Sequence, residues 1–85
     1  MSAIRSNPAR SAVQVDISVA DFIMPDAFRG GGIYIGTAGI LIVEMVDAPP
    51  SETVPFVVPA GITLPIETRK VIKAGTTADD IVALH

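Results

Sequence analysis

The residue types that could do chemistry are scarce in this chain and lie apart. The one histidine is His85, the last residue, and cysteine is absent. A zinc site needs several converging His, Cys or carboxylate ligands, and disulfides and thiolate metal sites need cysteine. We therefore predict no metal and no cofactor.

Nucleophilic catalysis is equally poorly provided for. A nucleophilic serine needs a positioned base, and the serines lie in polar or turn-like contexts with no internal histidine: Ser2, Ser6, Ser11, Ser18 and Ser51. Any two of the nine acidic residues could meet in space as an acid and base pair, but nothing in the sequence marks such a pair. We predict a protein that is not an enzyme and has no catalytic residues.

Two short segments resemble ligand sites at first reading. Asp79-Asp80 beside Thr76-Thr77 lacks the spaced oxygen ligands of an EF-hand, so we interpret it as a turn with local Asp and Thr hydrogen bonds. The glycine triplet at 30–32 lacks the GK[ST] and the following helix of a phosphate-binding loop. We interpret it as backbone that needs close approach or positive φ.

The composition describes one small and unusually apolar domain. The chain has 85 residues, of which 49% are hydrophobic and 18% charged, below the roughly 25% charged residues of soluble domains. A domain this small buries a limited share of its surface. Either a dense β core holds the apolar residues, or copies of the chain or a partner cover part of them; we favour the second.

Charge and hydropathy argue against two classes of partner. The net charge of −3 and a pI of about 4.7 disfavour nucleic acid, whose binding rests on clustered Lys and Arg. The longest apolar run, Ile40 to Val43, ends at Glu44, far short of the ~20 residues of a membrane-spanning helix. The first ten residues lack the apolar segment of a secretory signal. We expect neither nucleic acid nor membrane as a partner.

The chain divides into an arm and a β domain. Residues 1–10 carry two arginines and no acid, and we interpret them as an extended arm, either frayed or ordered across a neighbouring subunit. Residues 11–85 form the single β domain. Its first strand begins at Ala12, with apolar residues at every second position and polar ones between: Val13, Val15, Ile17 and Val19.

The middle of the chain predicts a connector and then a hairpin. A short helical turn is possible around residues 21–28, limited by Pro25. Strands at 33–35 and 40–46 flank the turn at 36–39, which is typical of a hairpin. Ile40, Leu41, Ile42 and Val43 are apolar on both faces, so this strand is either central in a sandwich or covered by another chain.

The last third predicts shorter elements. Residues 47–53 form a turn, and Pro55 places the strand at 54–58 on a sheet edge. Residues 62–64 are predicted to pair briefly, residues 65–74 are the longest strand candidate, and residues 81–84 close the domain. In the 65–74 strand, Glu67, Arg69, Val71 and Lys73 share one face, and Ile66, Thr68, Lys70, Ile72 and Ala74 the other. The predicted fold is all-β, a small antiparallel β-sandwich or barrel of six to seven short strands.

Charge is distributed unevenly along the domain. Residues 11–60 hold six acids against Arg29, a net charge of −5, whereas residues 61–85 balance three acids against three bases. A basic strand facing the acidic half of a neighbour would favour a head-to-tail ring; ordinary solvated faces explain the same numbers. The predicted subunit interface is Ile40, Leu41, Ile42, Val43, Arg69, Lys70 and Lys73.

Three segments in this order carry a resemblance: IYIGTAG at 33–39, FVVPAGITLPI at 56–66 and VIKAGTTADDIVAL at 71–84. They resemble the IYVGTGG hairpin, VPAGTxLPL turn and GTTAxxIVAL terminus of the head spike base proteins of phages and gene transfer agents. The resemblance covers about two-thirds of the chain, Arg29 to Leu84. The chain departs from it at His85, where the family often has an aromatic residue, and in the 44–56 hairpin, which carries the longer insert DAPPSET.

The resemblance implies a virion structural protein without catalytic residues. Its members form an oligomeric base seated on the capsid, at the fivefold vertices, to which a head fibre or spike attaches. The implied partners are the chain itself in a symmetric ring, a pentamer in preference to a trimer, together with the major capsid protein and the head fibre or spike protein. Such a protein is made in the host cytoplasm and resides on the capsid surface. The alternatives are a tail or baseplate adaptor, a capsid-cementing decoration protein, and a carbohydrate-recognition β module.

Overall fold

The computed structural model describes residues 10–85, which form two four-stranded antiparallel sheets. The strands are β1 (Ala12–Gln14), β2 (Phe22–Ile23), β3 (Ile33–Thr37), β4 (Gly39–Met45), β5 (Val54–Val58), β6 (Ile62–Leu64), β7 (Thr68–Val71) and β8 (Asp79–Leu84), with one 3-10 turn at Asp26–Phe28. The predicted arm, residues 1–10, lies outside the described residues apart from Arg10.

The two sheets confirm the predicted all-β sandwich. Sheet 1 has the strand order β1-β8-β3-β6, and sheet 2 has the order β2-β7-β4-β5. The described chain has eight strands rather than six to seven, because the two-residue strand β2 lies in the predicted connector. The 3-10 turn falls inside the segment where a short helical turn was predicted.

The core lies between the sheets and follows the two-residue period of the strands. Ile33 and Ile35 of β3 and Leu41 and Val43 of β4 are buried, while the residues between them face outward. The full set of buried apolar residues is Val15, Met24, Ile33, Ile35, Leu41, Val43, Val58, Val71, Ala78, Ile81 and Ala83.

The first strand is shorter than its alternating pattern predicts. β1 ends at Gln14, and although Val15 is buried, Val19 is 87% exposed. Asp16 explains the difference, because its Oδ1 accepts hydrogen bonds from the Ser18 backbone N at 3.0 Å and the Ser18 hydroxyl at 2.7 Å. An Asp that bonds the chain two residues on forms a turn and ends an extended run.

The predicted hairpin at 33–46 is wrong. β3 lies in sheet 1 and β4 in sheet 2, and Ala38 alone separates them, whereas the shortest common hairpin loops have two residues. The chain therefore turns a corner from one sheet into the other. Among the described strands, β4 and β5 are the one consecutive pair that shares a sheet.

The predicted long strand at 65–74 is also wrong, in both length and faces. β7 covers only four residues, and β4, with seven, is the longest described strand. The β4–β7 register shifts between Glu44, opposite Lys70, and Met45, opposite Thr68, which leaves Arg69 as the extra residue of a β-bulge. Because of the bulge, Thr68 and Val71 are both buried.

Other predicted elements are confirmed. β5 is an edge strand of sheet 2, β6 pairs briefly with β3, and β8 closes the domain as the last strand. β4 is central in its sheet, between β7 and β5.

Candidate interaction surface

The outer face of sheet 2 carries exposed apolar side chains. Leu41 and Val43 point into the core, so Ile40 and Ile42 point away from it. Their register partners on β5 are Val57, opposite Ile40, and Pro55, opposite Ile42. Ile40 is 38% exposed and Val57 is 89% exposed. We call these four residues, Ile40, Ile42, Pro55 and Val57, the outer patch.

Threonine hydroxyls hold one side of β4 in place. Thr77 Oγ1 accepts a hydrogen bond from the Ile40 backbone N at 2.8 Å, and Thr76 Oγ1 accepts one from the Ile42 backbone N at 3.0 Å. A β-carbon on Gly39 would lie 2.6 Å from Ala78 N, so glycine permits this close approach. The segment Thr76 to Ala78 thus takes the place of a neighbouring strand.

The predicted turn with local hydrogen bonds at Thr76 to Asp80 is wrong, because Asp79 and Asp80 begin β8 and only one of these side-chain bonds is local. Thr76 Oγ1 donates to the Ile72 carbonyl, and Asp80 Oδ2 accepts a hydrogen bond from the Thr37 hydroxyl at 2.8 Å. The threonine and aspartate side chains are therefore used to join strands.

A half-buried ion pair holds the other end of β4. Glu44, 5% exposed, accepts from Arg69 Nε at 3.2 Å and from the Ser51 backbone N at 2.9 Å. Arg69 also donates to the carbonyls of Val46 at 3.3 Å and Ala48 at 3.1 Å. The guanidinium fork thus fixes the β4–β5 loop, residues 46–53, to the sheet.

The same contacts set the protonation of Glu44. Its hydrogen bond from Arg69, and then that from the Ser51 backbone, hold the pKa of Glu44 below its ordinary value, against the opposing effect of burial. The carboxylate form is therefore the one that the folded chain stabilises.

The structure separates five of the seven predicted interface residues into three groups. Leu41 and Val43 lie in the core, and Ile40 and Ile42 lie on the outer face. The side chain of Arg69 bonds Glu44 and the β4–β5 loop.

The two lysines of that set have different positions. Lys70 is half-buried opposite Glu44 on the β ladder. Lys73 is exposed, and its backbone N donates to Asp21 Oδ1 at 2.7 Å. Both can reach solvent beside sheet 2.

Sequence reasoning missed Val57, the most exposed large apolar residue of the described chain. Its signal was present, since Pro55 already marked an edge strand and the inward residues Phe56 and Val58 alternate with Val57. Ile23 on β2, 66% exposed, was missed because a two-residue strand has no period to detect.

Within residues 10–85, no group of three or more His, Cys, Asp or Glu side chains could hold a metal ion. The His85 ring packs against Phe28, with ring centroids 5.5 Å apart, and the His85 backbone pairs with Ser11. In the same range, no helix has the length and apolar character to cross a membrane.

A scan against models of known protein families, a search of curated proteins and a search of solved structures each found no match. The structure defines a class, a small antiparallel β-sandwich with an apolar patch on one outer face.

Proposed function

We propose that this chain is a non-enzymatic structural protein of a phage-like virion. It forms the oligomeric base of a head spike or fibre, seated on the capsid at the vertices. The proposal begins from the order of the three motifs between Arg29 and Leu84, which resembles that of head spike base proteins.

The observation that carries the proposal is the pairing of Ile40 with Val57. These two apolar side chains lie side by side on adjacent strands, face away from the core, and are exposed. Single exposed apolar residues are ordinary on protein surfaces, but contiguous ones mark contact sites. With Ile42 and Pro55 they form an apolar surface on the outer face of sheet 2.

The charges beside the patch fit a contact between copies. Lys73 is exposed after β7, and Asp79 is exposed at the start of β8. A head-to-tail ring would bring different surfaces of neighbouring copies together, and opposite charges would fix its orientation.

Electron microscopy of intact particles tests the proposal directly. We expect density for this chain between the capsid shell and the spike, at the fivefold vertices. Density on the tail or baseplate, or spread over the capsid faces, would instead support an adaptor or a decoration protein and overturn the vertex assignment. A stable monomer that binds glycans and is missing from particles would favour the carbohydrate module.

Two matched substitutions test the role of the outer patch. Val57→Lys places a charge in the patch, and Val19→Lys places the same charge at a residue of nearly equal exposure, 87% against 89%, outside it. We expect particles with Val57→Lys to lose the chain and its spike, and particles with Val19→Lys to keep both. If both variants were incorporated into particles equally, the outer patch would have no role in assembly.

A further inference from the structure

The two sheets have four edge strands, β1, β2, β5 and β6. In or just after three of them, β2, β5 and β6, a proline occupies a backbone position that points away from the sheet. On β5, the position of the prolines follows from β4: Ile40 and Ile42 direct their backbone groups to the Thr76–Ala78 side, so residues 39, 41 and 43 bond β5. Pro55, Val57 and Pro59 therefore direct their backbone outward. Because proline has no N–H, this edge cannot extend the ladder.

At edges β2 and β6 the proline follows the strand, with Pro25 two residues after β2 and Pro65 directly after β6. Met24 N donates to the Arg69 carbonyl, so the backbones of Ile23 and Pro25 point away from β7. Leu84 N bonds the Gly32 carbonyl on the β8 side of β3, so by alternation the backbones of Ile33 and Ile35 face β6. Their partners on β6 are Leu64 and Ile62. The outward positions are then Thr63 and Pro65. Proline on edge strands prevents pairing with other chains.

Among the described residues, none at the β1 edge is proline. Ser11 N donates to the His85 carbonyl and Val15 N to the Ile81 carbonyl, so both point toward β8. By alternation the N–H and C=O groups of Ala12 and Gln14 point away from the sheet. Both residues are exposed and neither is proline. No described strand pairs with this side of β1.

We propose that β1 pairs antiparallel with β1 of a second copy, about a two-fold axis through Val13. The outward groups of Ala12 then bond those of Gln14 of the partner subunit, and the reverse. Val13, half-buried at the margin of the core, meets Val13 of the partner subunit. The contact joins the two copies of sheet 1 into one continuous sheet.

The charges beside β1 favour a second copy of the chain as the partner of this edge, and they set the register of the β1–β1 pairing. In this register Arg10 lies opposite Asp16 of the partner subunit, and both residues are exposed. Arg10 lies two residues before β1 and Asp16 two residues after it, so the long Arg10 side chain can form an ion pair with Asp16 of the partner subunit at each end of the paired strands. Shifting the register by two residues either way places Arg10 opposite Gln14 or Asp16 opposite Ala12, and both ion pairs are lost.

The inference goes beyond the proposed function and does not depend on it. A two-fold contact uses the same surface on both copies and closes at two. A ring therefore needs a second surface, such as the outer patch, and each contact can be broken separately.

Gln14→Pro tests the edge directly, because it removes the N–H that points outward and leaves the hydrogen bonds between β1 and β8 in place. Gln14→Thr keeps that N–H and is the matched control. Both are measured by sedimentation in a Val57→Lys background, which disables the outer patch, and circular dichroism reports folding. We expect dimers with Gln14→Thr and monomers with Gln14→Pro. Dimers in both variants, or a Val57→Lys chain that stays monomeric up to about 1 mM, where even weak contacts form, would overturn the proposal.

A charge swap tests the register independently of proline. Arg10→Glu alone and Asp16→Arg alone should each weaken the dimer roughly tenfold, as two exposed ion pairs become repulsive. Mixing the two variants restores both attractions and should restore the dimer, as should the double variant. Lack of recovery in the mixture would rule out this register.

Cross-linking gives a third readout, because the chain has no cysteine of its own. Val13→Cys places the two thiols directly opposite each other at a close pair, whereas Ala12→Cys places them on a diagonal. We expect a rapid disulfide dimer from Val13→Cys and a slow one from Ala12→Cys. Equal rates would contradict the two-fold axis at Val13.

Discussion

Arg69 and Glu44 form an ion pair between β7 and β4, with Nε 3.2 Å from Oε1, at the residue where β7 bulges. In a regular strand Arg69 would point to the opposite face from Lys70. The bulge turns it toward the β4–β5 loop, where it bonds two carbonyls as well as the carboxylate. One extra residue in β7 thus fixes a loop that belongs to other strands.

The ion pair makes the stability of the folded chain depend on pH. Because the pKa of Glu44 is lower in the folded chain than its ordinary value of 4.5, its contribution is present above about pH 4.5 and is lost as the pH falls through the lowered pKa. We expect Glu44→Gln to lower the melting temperature at pH 7 and to have a smaller effect near pH 3. Thermal unfolding over this range, with the exposed Glu52→Gln as control, measures it. Parallel profiles for wild type and Glu44→Gln would refute the assignment.

Two neighbouring glycines should respond in opposite ways to alanine. A β-carbon on Gly31 would overlap the Leu84 carbonyl, whereas one on Gly30 would meet nothing within 4 Å. We expect Gly31→Ala to cost about 1–3 kcal/mol or more, as overpacking does, and Gly30→Ala to stay within about 0.5 kcal/mol, as surface changes do. Urea denaturation of the two variants decides it, and similar midpoints would count against the close approach.

The two faces of β4 should separate folding from assembly. Leu41→Ala leaves a cavity in the core and should cost about 2–5 kcal/mol. Ile40→Thr keeps a β-branched side chain on the outer face and should change stability by less than about 1 kcal/mol. Chemical denaturation of the purified chains measures both; a large loss with Ile40→Thr would mean that Ile40 belongs to the core.

The Thr77 hydroxyl should protect the amide of Ile40. Thr77→Val removes the acceptor of that hydrogen bond, at a cost of about 1 kcal/mol. We expect faster hydrogen exchange at Ile40, while exchange at Leu41, which faces β5, changes less. Thr63→Val on the exposed outer side of β6 is the control. Unchanged exchange at Ile40 would show that the hydroxyl is dispensable.

The fold class followed from the sequence because turn residues and alternation are local signals. Pro55 placed β5 on a sheet edge because proline has no backbone N–H. A strand can lack this donor only on the side that pairs with no neighbouring strand. The sheet to which each strand belongs is not local. A glycine-containing link such as 36–39 looks the same whether the chain folds back or crosses to the other sheet.

The candidate surface was predicted only in part, because local signals do not show which side of a strand faces the core. Ile40 and Ile42 were named from their apolar run, but the run does not say which side faces inward, and Leu41 and Val43 are in the core. Arg69 could not be placed, because the bulge depends on pairing with β4. Its partner Glu44 lies 25 positions away in sequence.

The crossing of the chain between sheets has a consequence for how the domain folds. Among the described strands only β4 and β5 can pair through a short connection, and each other pairing must close a longer loop. Non-local pairing slows folding, to milliseconds or longer in β-sandwiches. The β4–β5 hairpin is therefore the natural first structure, and the outer patch that it carries would exist before the core behind it is complete.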